Sequence, residues 1–179
     1  MLAYKFLRSG AVGPFSGFRW PTTEGGGLGD WVTPEGAPPP FDDGVHCAGL
    51  DQLAYWVNEE LWEAELDDPD IRPRALVGSR GRLVARIDSW EPSLAAGYLR
   101  ACLERADEHA AATGDAREVV VYARSAHAFS EKGAAMVAFI AAHTAGMRSA
   151  ATGGDFEDGR SAERSWQSTW LAAALGLDR

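Results

Sequence analysis

His46 and Cys47 stand side by side in the segment GVHCAG, an acid–base group next to a nucleophile. If this segment is a short buried strand, successive side chains turn to opposite faces, and the two cannot serve each other as base and nucleophile. His46 therefore needs a different partner. Asp42 and Asp43 lie just upstream, and a carboxylate from there would give an acid–base pair, with His46 and Asp43 as the catalytic residues to test. The plainer reading of the same segment is a satisfied buried histidine beside a cysteine that packs as a small hydrophobe.

The second concentration of chemistry is aromatic. Phe15, Phe18, Trp20 and Trp31 fall within a run of loop signals from Gly10 to Pro40 that includes EGGGLGD and APPP. Loops longer than about 15 residues are uncommon in compact domains unless they are functional, so these rings are expected to pin the loop to the core or to line a pocket. Trp20 and Trp31 are the rings read as ligand-binding.

Other patterns carry less. His46, His109, His127 and His143 show neither HExxH nor paired CxxC spacing, so no metal site is expected. The acidic run Asp67, Asp68 and Asp70 lacks the spacing of a calcium loop and reads as a solvated turn. EGGGLGD has no following Lys-Ser or Lys-Thr and no helix start, which removes the parts that cradle a nucleotide's phosphates. Arg72, Arg74, Arg80, Arg82 and Arg86 could hold a phosphate or carboxylate, but a solvated strand face paired with nearby acids is the simpler expectation. Glu59, Glu60, Glu63 and Glu65 would matter for acid–base work only if one turned into a cleft.

The chain of 179 residues is long enough to bury about 70% of its unfolded surface, and it reads as a single domain, residues 1–179, with one core. Its net charge of −9 repels phosphate backbones and anionic lipid, so neither nucleic acid nor membrane is an expected partner. Two cysteines do not make a disulfide framework, and no charged leader with an apolar run opens the chain, which together point to the cytoplasm. The longest apolar stretch, AAMVAFIAA, is far shorter than the roughly 20 residues of a membrane span.

The elements that must position these residues divide near Pro92. All nine prolines and five of the seven tryptophans lie at or before it, and alanine dominates after it. Residues 1–90 read as strands and long loops, and residues 91–179 as helices. AYKFLR, GVHCAG and ELWEAELD alternate as strands, with Trp62, Ala64 and Leu66 on one face. Asp51 is expected to cap a helix DQLAYWVN, and Ala75 to Ile87 to form a hairpin or two successive strands. Pro92 opens a helix with a stripe of Leu94, Tyr98, Cys102 and Ala106, ended by Gly114. A second helix is expected from Asp115 to about Phe129 and a third from Ser130 to the Gly146 region, or one bent helix in place of both. The last helix, from Ser161, carries Trp166 and Trp170 as core and is capped by Gly176. The fold class is therefore α+β: a small, mostly antiparallel N-terminal sheet with long aromatic loops, packed against a C-terminal layer of three or four helices.

YKFL, DDGVHCAGLDQL, LWEAELD and the closing ERSWQSTWLAAALGL together resemble uncharacterised actinobacterial proteins of unknown function. Residues 3–67 are also similar to a small domain-of-unknown-function group with a YKIL start and a DGFIHxSxxEQ motif, which looks like the ADP-ribosyltransferase fold. The matching positions are Tyr4, Lys5, Leu7, Asp43, Gly44, His46, Gln52 and Asp67, with one residue fewer between glycine and histidine. The resemblance implies a cleft flanked by the first strand and the GVHC strand, which in active relatives binds NAD. It adds Tyr4, Lys5 and Gln52 as ligand-binding residues. No catalytic glutamate motif follows, so a kept cleft without the chemistry is implied.

Three functions follow as expectations. The first is an accessory protein that binds a small-molecule ligand or a protein partner through the aromatic loop. The second is a small transferase-like enzyme with an acid–base cleft around His46. The third is a homo-oligomer built on the alanine-rich helices.

Overall fold

The computed structural model describes residues 1–23, 25–34, 44–113 and 117–177. Asp42, Asp43 and Gly114 lie outside the described residues, and with them the carboxylate expected beside His46. The chain is α+β, and it forms two compact units, Met1–Trp90 and Glu91–Arg179.

Among the described residues the first unit holds six strands: β1 (Leu2–Leu7), β2 (Val45–Cys47), β3 (Glu60–Asp67), β4 (Asp70–Arg72), β5 (Ala75–Gly78) and β6 (Arg80–Arg86). They form two antiparallel sheets in the orders β1-β3-β6 and β2-β5-β4. An antiparallel bridge joins them, in which the Tyr4 amide donates to the Ala48 carbonyl at 2.8 Å and the Ala48 amide returns to Tyr4 at 2.7 Å. The alternation of β3 sends Trp62, Ala64 and Leu66 to one buried face, where they meet Ala3 and Leu7 of β1, Val45 and Cys47 of β2, Leu76 and Leu83. Ala75 to Ile87 contains two successive strands, not a hairpin: β5 pairs with β2 and β4, whereas β6 pairs with β3. Gly81 permits this crossing between sheets. A Cβ there would stand 2.7 Å from the Val45 side chain and 2.9 Å from that of Leu66.

The helix expected from Asp51 is a 3₁₀ turn, Leu50–Tyr55, and its N-cap is Gly49, not Asp51. Gln52 Oε1 accepts the Gly49 amide at 3.0 Å, and six residues before the chain must enter β3 are too few to sustain an α-helix. The long loop is not structureless. Gly29 donates to Leu83 at 2.8 Å, Val32 and Gly81 exchange both backbone bonds, and Arg86 donates to Gly26 at 3.2 Å, so the loop lies along and blunts the free edge of β6.

The second unit holds α1 (Pro92–Ala111), α2 (Arg117–Ala128), α3 (Ala134–Ala151) and α4 (Phe156–Leu175). The α2 and α3 helices are separate, divided by a 3₁₀ turn at Ser130–Lys132. The last helix begins five residues before Ser161, because Asp155 caps it: its Oδ1 accepts the amides of Glu157 at 2.8 Å and Asp158 at 3.2 Å. Gly176 closes it in the left-handed conformation at φ 67°.

The buried face of α4 is polar in its first half. Glu163, Arg164, Gln167 and Ser168 are buried, while Trp166 and Trp170, expected as core, are half-buried and stack on Arg105 at 4.9 Å and on Tyr98 at 5.4 Å. Glu163 accepts from Arg105 at 2.9 Å and from His109 Nε2 at 2.8 Å. Arg148 donates to His109 Nδ1 at 3.1 Å; since arginine is only a donor, the histidine proton is assigned to Nε2, which donates it to Glu163. Among the described residues no helix is long and apolar enough to cross a membrane.

Candidate functional site

The aromatic loop of the first unit is fastened by two carboxylates at the start of β3. Glu59 accepts the amide and the hydroxyl of Ser9 at 2.7 and 2.6 Å. Glu60, buried on the parity of Trp62, accepts the amides of Gly10 at 3.0 Å and Ala11 at 3.1 Å and the Trp62 indole at 3.1 Å. Burial pushes the Glu60 carboxyl up, but these donors and the nearby Arg86 outweigh it and hold it below the usual carboxylate range. Gly10 and Ala11 both take positive φ, 79° and 57°, so the chain reverses sharply at the clamp. Beyond it, the Trp20 amide donates to Ala11 at 2.9 Å and sets that ring into the core.

What this reversal makes is a cavity of about 330 Å³ between the loop, β1 and β2. Tyr4, Phe6, Phe15, Phe18, Trp20 and Trp56 supply its rings, with Phe15 against Trp56 at 6.3 Å and Phe18 against Trp20 at 5.9 Å, both edge-to-face. Lys5 enters this cavity from the same face of β1 as Ala3 and Leu7, a lysine where the alternation calls for an apolar residue. Its Nζ donates to the His46 carbonyl and lies 4.7 Å from the centre of the Trp20 ring. Among the described residues no carboxylate lies within 4.0 Å of that ammonium. Burial pushes the Lys5 amine down and the neighbouring Cys47 partly offsets this; burial pushes the Cys47 thiol up, and Lys5 pulls it partly back.

Of the residues singled out in the sequence, Tyr4, Lys5, Trp20 and His46 line this one cavity. His46 is half-buried, with its ring 6.3 Å from that of Trp56. Trp31 and Gln52 are not among the lining residues. Trp31 makes cation–π contacts with Arg80 at 4.7 Å and Arg82 at 4.8 Å, and those arginines pair with Asp67 and Glu65. Gln52 spends its side-chain amide within the chain, accepting from Gly49 and donating to the Arg72 carbonyl at 2.7 Å. Cys47, Phe15 and Phe18, also flagged in the sequence, line it too, and Phe6 and Trp56 are among the lining residues that the sequence did not flag. Glu60 was not separated from its neighbouring glutamates in the sequence, although it shares the inward parity of Trp62, Ala64 and Leu66, the signal that could have found it. Among the described residues no cluster of three or more His, Cys, Asp or Glu could hold a metal.

No family model, curated protein or solved structure matches the chain.

Proposed function

We propose that the N-terminal unit is a binding module for a small, mostly apolar ligand that carries an aromatic ring and one polar end. The observation behind this reading is the cavity itself: six aromatic side chains around about 330 Å³, with Lys5 as the ammonium among its described lining residues. Ligand sites are concave, mostly apolar and oriented by a few polar groups, in volumes from about 300 Å³ upward. A volume near that lower end suits one or two rings better than a dinucleotide such as NAD. The acid–base enzyme reading rests on His46 lining the same cavity, but the carboxylate it requires falls outside the described residues.

The test is a fragment screen by ligand-observed NMR and thermal shift on the full chain, repeated with Trp20→Leu and His46→Ala. A fragment at 100 times its dissociation constant should add about 2.7 kcal/mol of stability. Binding lost with Trp20→Leu and kept with His46→Ala supports a module; turnover of a bound compound, lost with His46→Ala, favours the enzyme. Absence of any binder in the folded protein rules out the ligand reading.

A second reading has its own observation. Val121, Tyr122, Phe129, Met136 and Phe139, all from α2, α3 and the turn between them, are exposed. Such a surface suits a protein partner or a second copy. Light scattering on the purified chain separates these, since a monomer weighs 19.2 kDa.

A further inference from the structure

The charge inside the cavity narrows the ligand's chemistry. Lys5 reaches its position through a strand face that is otherwise core, and its ammonium is met by a carbonyl oxygen and the face of an indole, both of them neutral. Among the described residues, then, this cation is solvated by dipoles and a ring quadrupole, which costs more than an ion pair in the same place. Its three N–H donors exceed the single acceptor that His46 offers. A ligand anion would take a remaining donor, neutralise the charge and set its apolar part against Phe15, Phe18 and Trp56.

Resting on the small-ligand reading above, we propose that the polar end of the ligand is a carboxylate, bound by Lys5 Nζ beside Trp20 and the His46 carbonyl, so that the site takes an aromatic monocarboxylic acid. Binding then keeps Lys5 protonated. The direction of its shift in the free protein supports this: burial lowers the amine, so an anion that restores the charged form takes up a proton wherever the free amine is partly neutral. Acid binding should weaken as pH rises through the free Lys5 pKa, while binding of a neutral analogue stays flat.

The experiment is calorimetric titration of the full chain with naphthylacetate and with naphthylacetamide, which share ring and shape and differ in charge. The acid should bind about tenfold tighter at neutral pH, the scale of a charge-assisted hydrogen bond over a neutral one. Lys5→Met should abolish that preference and leave amide binding nearly unchanged, and Lys5→Arg should retain it. Amide binding doubles as the folding control for each variant. Equal affinities for acid and amide, or acid binding indifferent to Lys5→Met, overturns the carboxylate assignment and leaves the aromatic site standing. If neither probe binds while neutral fragments do, the assignment again fails alone; if nothing binds, both fail.

Discussion

At the scale of single residues, Lys5 is the ionisable member of an otherwise apolar strand face. Its neighbours Ala3 and Leu7 are fully buried, yet it keeps an ionisable head beside Cys47. Its folded pKa lies below its unfolded value near 10.4, so between the two the unfolded chain binds more protons, and stability rises with pH across that alkaline window. Lys5→Met lacks this titration. Urea unfolding in steps from neutral to pH 10 should show the parent gaining on the variant as pH rises; a constant difference would mean the amine is not desolvated in the folded state. The cysteines make a parallel case. Burial pushes Cys102 up to about 12 and raises Cys47 as well, so neither holds its reactive thiolate at pH 8. Iodoacetamide should leave both unmodified in the native protein and alkylate both in urea, as read by mass spectrometry. Rapid native labelling of Cys47 would show that the cavity opens to solvent more than the static structure does.

At the scale of elements, close packing of α3 and α4 rests on glycine. A Cβ at Gly159 would fall 2.6 Å from Ser149 Cβ and 2.7 Å from the Ala145 carbonyl oxygen, groups that cannot swing aside. Alanine gains about 1 kcal/mol of helix propensity over glycine, but overpacking costs about 1–3 kcal/mol, so Gly159→Ala should destabilise the protein. Gly97 in α1 is the contrast: its nearest neighbours would be 3.8 and 3.9 Å away, so Gly97→Ala should stabilise by up to about 1 kcal/mol. Denaturant melts of the two variants decide it, and equal shifts of one sign would mean the α3–α4 contact is looser than it looks. The same contrast explains what the sequence disclosed. Elements with a strong period were legible: β3 through Trp62, Ala64 and Leu66, and α1 through Tyr98, Cys102 and Ala106. The helix start at Asp155 was hidden because ATGGDFEDG is glycine-rich, although Asp followed by Glu-Asp is a capping pattern. The buried face of α4 was hidden because Glu163 and Gln167 become tolerable inside only through Arg105, His109 and the Ala138 carbonyl, partners that sequence spacing does not bring together. The cavity was half legible: the loop rings were flagged, but nothing in their spacing separates Trp20, which enters it, from Trp31, which packs against Arg80 and Arg82.

At the scale of the whole molecule, each unit is tied by one buried carboxylate with a depressed pKa, Glu60 in the first and Glu163 in the second. For Glu163, burial raises the pKa and the bonds from His109 and Arg105 more than reverse it. A carboxylate lowered in the folded state contributes stability that is full above its unfolded pKa and is lost as pH falls through the folded value. Net charge cannot be the cause of that loss at its onset, because the chain is close to neutral near its isoelectric point of about 4.9, where self-repulsion is least. Stability should therefore hold from pH 7 to about 5 and fall below that, with each such group contributing at most about 1.4 kcal/mol per pH unit. Glu60→Gln and Glu163→Gln should each lower stability at pH 7 and make the acid limb shallower. They share no partner, so their effects on the midpoint should add. Tryptophan fluorescence reports both units, with Trp20 and Trp62 beside the Glu60 clamp and Trp166 stacked on Arg105. An acid limb unchanged in the double variant would assign acid unfolding to the exposed carboxylates instead, and would leave the Glu60 clamp as a positioning device for the aromatic loop with no share in the pH response.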